Sequence, residues 1–451
     1  PLDDAPPTIR NACMAILFVI HFVVVIILGV LYGSFDSPTN DEAIQSVPNE
    51  VSKVITHVAL PSSVIAFILS YFMTGFVLPR VASFLVKGTL LGSFVITAGL
   101  GTAACISYSS WVTYVSVTLI LLLETCYVYS IWRYIPFTTV NLKVAIKGMT
   151  QNCAAYGIAL FVTVLMFLWG FFWLFVFHGV WMNIDKMGKD NDCFNPYVLN
   201  KENLDCTRDL YDHSYFVGLN TFLFISLYWT MMVLYNIGQV TVVGIMATWC
   251  FDIDDADSCW SPSVTSSFVR STWYSFGSIC FGSLLTTLIR AIRAIIDKFQ
   301  RDADSDGDNC DANSICMCCV QCCFSCFEGA FEYFNDWAYV YIGVYGEDYL
   351  TSGRKVMEMF VSRGWTSLIT CLTIEYPLAF ISLTVSSLAG AIAMVIDNNE
   401  IGEDGLWDSF WIGFIIAFLI SQVMMNVIKG ATKTVIVCFA DKPEEFSENH
   451  P

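Results

Sequence analysis

The sequence predicts an all-α fold, a polytopic membrane bundle of about ten transmembrane helices, and three observations point to it. Of the 451 residues, 56% are hydrophobic and only 14% are charged, against roughly half apolar and a quarter charged in a soluble domain; the mean hydropathy is +0.61. Apolar runs recur along the chain, each reaching the roughly 20 residues that a helix needs to cross a hydrocarbon core of about 30 Å. The net charge of −18 is carried almost wholly between those runs, so the acidity belongs to loops and no nucleic-acid partner is expected.

The first run, 12–32, is long, lacks a small-residue cleavage site and opens a multi-spanning chain, so it reads as a span and not as a cleaved signal. Further runs lie at 54–78, 81–105, 111–132 and 153–178, then at 214–250, 264–296, 365–396 and 408–437. Lys and Arg in short loops mark the cytoplasmic side: Arg80; Arg133, Lys143 and Lys147; Arg290, Arg293, Lys298 and Arg301; Arg354, Lys355 and Arg363; Lys429, Lys433 and Lys442. The acidic loops 36–50, 185–213 and 397–408 fall outside, and both termini are expected in the cytoplasm. The run 214–250 is too long for one ordinary crossing, and both its ends adjoin acidic loops. Splitting it near Asn236 and Gly238 gives ten crossings, keeps Arg290 to Arg301 inside and spares Glu328, Glu332 and Asp336 from lipid. The alternative keeps it single and makes 315–345 the missing crossing. Without repeats or Pro/Gly-rich linkers, residues 1–451 read as one membrane domain, with an acidic, Cys-rich juxtamembrane segment at 302–346.

Polar residues inside such runs are costly, and they mark either function or helix contacts. Glu124, in LILLLETCYVYSIW, is the prime candidate for an ion or substrate route; the alternative is a hydrogen-bonded Glu that locks two helices. Glu375, in TIEYPLAF, follows the same argument, tempered by a kink at Pro377. The stretch LYWTMMVLYNIGQVTVVGIMATWCF places Asn236, Gly238 and Gln239 among Tyr228, Trp229, Tyr235 and Trp249. Gly permits a helix break whose carbonyls can hold a cation. A quaternary ammonium has no N–H to donate and is held by aromatic faces, which Tyr228, Trp229 and Tyr235 could supply. Packing glue between helices is the competing account. In FLWGFFWLFVFHGVW, Trp169 is deep enough to join the site, whereas Trp173 and Trp181 read as interfacial belt.

Cys193 and Cys206 flank an outer loop and are expected to pair as a disulfide. The run CDANSICMCCVQCCFSCF has helical spacing but neither His nor paired-knuckle spacing, so acylation of a juxtamembrane helix or plain burial is favoured over metal. Asp302, Asp304, Asp306, Gly307 and Asp308 match the start of a calcium loop, but position twelve is Asn313 where a bidentate Glu is required; a solvated acidic loop is the default. No nucleotide loop, Ser elbow or His-metal pair occurs, so no cofactor, metal or enzymatic activity is expected.

Several stretches carry a family resemblance: NIGQVTVVGIMATWCF, SFVRSTWYSFGSICFGSLL, the cysteine run leading into FEYFNDWAYVYIGVYGEDYLTSGRKV, and ATKTVIVCFADKPEEF. Together they resemble the choline transporter-like family, solute carrier family 44. The resemblance implies about ten membrane helices, a plasma-membrane or organellar location, and transport of choline or ethanolamine with proton exchange. It carries Asn236, Gln239 and Trp249 over as pathway residues and Glu124 as a proton-coupling acid. The leading expectation is a secondary transporter or facilitator for a choline-like cation in the plasma membrane. Its rivals are a cation channel, which would need a continuous polar path, and a non-transporting scaffold or receptor working through the cysteine and acidic segment.

Overall fold

The computed structural model describes residues 9–33, 54–107, 110–190, 206–252, 256, 258–305, 312–364, 366–400 and 406–450. Among them are thirteen α-helices and no strand. In chain order these are α1 (Ala12–Tyr32), α2 (54–107), α3 (Trp111–Trp132), α4 (Ile135–Gln151), α5 (Ala154–Asp190), α6 (Cys206–Phe251) and α7 (Pro262–Val269). They continue with α8 (Phe276–Ser305), α9 (Ala312–Tyr345), α10 (Tyr349–Arg363), α11 (Thr366–Glu400), α12 (Leu406–Asp441) and α13 (Pro443–Asn449). Eight of them, α1, α2, α3, α5, α6, α8, α11 and α12, are long and apolar enough to cross a membrane. The chain is a polytopic helical membrane protein.

The runs expected as separate crossings at 54–78 and 81–105 form one helix, α2, which passes through π turns at Val54–Ala59 and Met73–Val77. The second turn explains how the helix survives Pro79. The Leu78 N–H reaches back to the Met73 carbonyl, and the widened turn makes room for a ring that has no N–H to give. Arg80 does not stop the helix either. Its guanidinium bonds the Phe76 carbonyl at 2.6 Å and lies 3.8 Å from the Phe76 ring centroid, so the charge is served by its own helix.

The run 214–250 is likewise unbroken. It lies within α6, 46 residues long, and no split occurs at Asn236 or Gly238. Gly238 serves a close contact instead, since a Cβ there would fall 3.1 Å from Val162 of α5. The stretch 315–345, the alternative crossing, lies in the single helix α9.

Taking the end at which α1 finishes as upper, side-chain contacts fix the direction of each helix. Phe22 stacks on Trp169, so α1 and α5 run together. Trp173 donates to the Leu223 carbonyl at 2.7 Å, and α6 returns. Asn236 meets Ser283 while Tyr228 lies under Arg290, so α8 rises again. Arg293 pairs with Glu328 and Ser283 with Tyr339, so α9 descends. α12 descends beside α6 and α9, with Gly430 against Gln239 and Tyr345 donating to Asp441.

Because α6 crosses once, this parity corrects the expected placing of Arg290, Arg293, Lys298 and Arg301. They lie at the upper end, with the helix ends that lead into the acidic segments, not opposite them. Arg290 pairs with Glu332 at 2.8 Å, and Arg293 with Glu328 at 2.7 Å and Asp297 at 3.5 Å. Both ends of the described chain lie at the lower end: Arg10 N–H bonds the Tyr274 carbonyl, and His450 meets the Trp249 carbonyl.

Candidate functional site

α6 is the most buried of the eight long apolar helices, and its midpoint faces α5, α8, α9 and α12. Asn236, buried, donates to Ser283 Oγ of α8 at 2.9 Å; Ser283 is 3.2 Å from the Tyr339 hydroxyl of α9, which also reaches the Ile279 carbonyl at 3.3 Å. One turn further on, Gln239 packs against Gly430 of α12. Tyr235, Gly238 and Gln239 line a crevice with Val162, Val423 and Asn426, holding about 10 Å³ of free space, about enough for one water.

Beside this crevice lies a cluster of four charges. Asp336 of α9 accepts from Lys429 and Lys433 of α12, each at 2.7 Å, and Lys429 also bridges to Glu375 of α11 at 2.7 Å. The Lys433 side chain is only 4% exposed and its ammonium lies 5.4 Å from the centroid of buried Trp337. Two carboxylates and two ammoniums make the quartet neutral, which is how four charges survive among apolar helices. Asn335, next to Asp336, accepts from the Tyr349 hydroxyl at 2.9 Å, tying α10 to the same level.

Of the residues singled out from sequence, Tyr235, Asn236, Gly238 and Gln239 gather here, with Glu375 in the charge quartet beside them. The others are distributed elsewhere. Trp229 donates to the Cys280 carbonyl at 3.1 Å, and its ring is covered by Phe18 and His21 at 5.2 and 4.7 Å. Trp169 stacks on Phe22 at 4.9 Å. Tyr228 sits under Arg290, 5.4 Å away, towards the upper end. Trp249 is at the lower end, donating to Gln151 at 2.7 Å and stacked by His450 at 4.0 Å. Glu124 is on the α2–α3 hairpin, accepting from Ser93 at 3.2 Å. The pairing expected for Cys193 and Cys206 lies outside the described residues. A disulfide joins Cys153 to Cys259, with a Cα separation of 4.7 Å. Asp302 and Asp304 fall in the last turn of α8, and the rest of the acidic loop lies outside the described residues.

Residues 112–444 match the sequence profile of the family described as plasma-membrane choline transporters. The chain belongs to this family. Among similar proteins is Protein PNS1 of Kluyveromyces lactis, 26% identical over all of this chain and 81% of the relative. Protein PNS1 of Mycosarcoma maydis is 34% identical over 34% of this chain and 28% of its own. That of Yarrowia lipolytica is 26% identical over 58% of this chain and 43% of its own. In the last two the match spans less than half of the relative. The choline transporter family profile covers α3 to α12 almost entirely, and with it the Asp336 quartet and the whole of the α6 crevice.

Proposed function

We propose that this protein is a secondary transporter or facilitator for choline or a related small organic cation such as ethanolamine, working in the plasma membrane with both termini cytoplasmic. Membership of the choline transporter family supports the reading, and the observation that carries it is the Asp336–Lys429–Glu375 bridge beside the Tyr235–Gln239 crevice. Tyr235 supplies an aromatic face for an ammonium without N–H groups, and Gln239 and Asn426 offer amides to a hydroxyl. Asp336 and Glu375 supply counter-charge that Lys429 already holds, so an arriving cation competes with the lysine for those carboxylates. The closed crevice has no room for the substrate, so transport requires α12 to move against α6, as in alternating access. Glu124 remains the proposed proton-coupling acid, acting from the α2–α3 hairpin.

The test is uptake of radiolabelled choline into proteoliposomes, with and without a pH gradient. Saturable uptake that is lost in Gln239→Ala and Asp336→Asn supports the crevice, and loss of only the pH dependence in Glu124→Gln supports the coupling role. No saturable uptake of choline or ethanolamine under any gradient overturns the substrate.

A further inference from the structure

Below the crevice, the end of α6 opens on a second cavity of about 420 Å³, a volume suited to a small organic ligand. Thr248, Phe251 and Asp252 form its α6 wall; Ser266 of α7, Tyr345 of α9 and Lys442 complete it. Two aromatic rings and a carboxylate thus face one space. The hydroxyls are engaged locally: Thr248 donates to the Gly244 carbonyl at 3.1 Å, Ser266 to that of Ser263 at 3.1 Å, and Tyr345 to Asp441.

A cation is already placed at this wall. The Lys442 ammonium lies 5.5 Å from the Phe251 ring centroid, within the range of a cation–π contact, and its ion-pair partner is Glu445 at 3.1 Å, with both side chains more than a third exposed. A pair so open to water holds its lysine weakly.

We infer that this cavity is a vestibular binding site for a small quaternary ammonium cation, with Phe251 as the aromatic face, Asp252 as the counter-charge and Lys442 as a built-in competitor that leaves the ring when the ligand arrives. A methylated ammonium has no N–H to donate and is held by an aromatic face with a carboxylate nearby, and Phe251 and Asp252 both line this cavity. The inference rests on the cation-transport reading above and adds to it a loading position at the lower end, in line with the crevice along α6.

The experiment is equilibrium binding of radiolabelled choline to the purified full chain in detergent, with proteoliposome uptake in parallel, for Phe251→Leu, Phe251→Trp, Lys442→Gln and Gln239→Ala. Phe251→Leu is expected to weaken binding about fivefold and Phe251→Trp to preserve or tighten it. Lys442→Gln is expected to tighten binding about threefold by freeing the ring. Gln239→Ala is expected to abolish uptake while leaving vestibular binding in place. Binding by the parent that is unchanged in both Phe251 variants and in Lys442→Gln overturns the vestibule and leaves the transport reading intact. A parent that neither binds nor transports choline overturns both. Retention of the parent's elution volume by Phe251→Trp separates loss of the site from loss of the fold.

Discussion

Asp336 accepts from Lys433 at 2.7 Å, and this contact ties α9 to α12 across 97 residues of sequence in the middle of the helix pack. Removing the carboxylate leaves two ammoniums, one of them almost wholly buried, without their shared partner. Asp336→Asn is expected to destabilise the protein by about 3 kcal/mol, seen as a lowered Tm in detergent. Adding Lys433→Met should recover part of the loss, because an apolar side chain needs no counter-ion. An unchanged Tm in the single variant would contradict the pairing.

A second expectation concerns α6 and α9, which touch at Gly343. A Cβ there would press into Val243, on a buried stretch with little freedom to yield. Gly343→Ala should cost about 1–3 kcal/mol through overpacking, and Val243→Ala in the same chain should relieve it. Thermal unfolding of the single and double variants makes the comparison.

Asp348 caps α10. Its carboxylate accepts from the Thr351 N–H at 3.1 Å. Partial burial pushes its pKa up, but the Thr351 hydroxyl and amide bonds outweigh this and leave it below the ordinary carboxylate value. The stabilisation is therefore complete above the unfolded pKa and is lost as pH falls through the folded one. Asp348→Ala should cost about 1 kcal/mol near neutrality and progressively less in acid, measured as the Tm difference from the parent across pH 3 to 7.

His450 offers a pH effect of opposite chemistry. Burial lowers its pKa, only partly offset by its bond to the Trp249 carbonyl. The docked ring is thus favoured neutral, and docking is strongest above the free value of 6.5, weakening as pH falls through it towards the lowered docked value. Amide hydrogen exchange over 443–449 should accelerate between pH 7 and 5 relative to a control segment in α6. His450→Gln should remove that pH dependence.

Much of the helical skeleton was legible because lipid demands it, with one correction: the run expected at 264–296 is broken at Ser275, where α7 and a π turn at Arg270–Tyr274 give way to α8, so only Phe276–Arg301 is left as the apolar span. The interruptions were not legible. Arg80 and Pro79 look like a loop, yet one π turn and the Phe76 carbonyl absorb both. Gly238 and Asn236 look like a break, yet Val162 and Ser283 of other helices claim them. In the candidate site, Tyr235, Asn236 and Gln239 stood out as polar or aromatic residues in an apolar run. Asp336 and its lysines did not, because each reads alone as a loop charge and only the register of α9, α11 and α12 brings them together. A signal was present in Lys429 and Lys433, which share a helix face four residues apart. Cys153 and Cys259 sit 106 residues apart, with no spacing to connect them.

The continuous α2 has a mechanical corollary. Its upper part packs on α12, with Ser70 3.0 Å from Ser421, while its lower part runs on to Ser107 beside α3. With 54 residues at 1.5 Å each, it is a rod of about 80 Å. If α12 rocks, the length beyond Ser70, about 37 residues or about 55 Å to Ser107, acts as a pointer: a tilt of about 5° about that contact displaces the far tip by about 5 Å. A distance label near Ser107, read against one on α6, would magnify a motion at the crevice that is too small to follow in place.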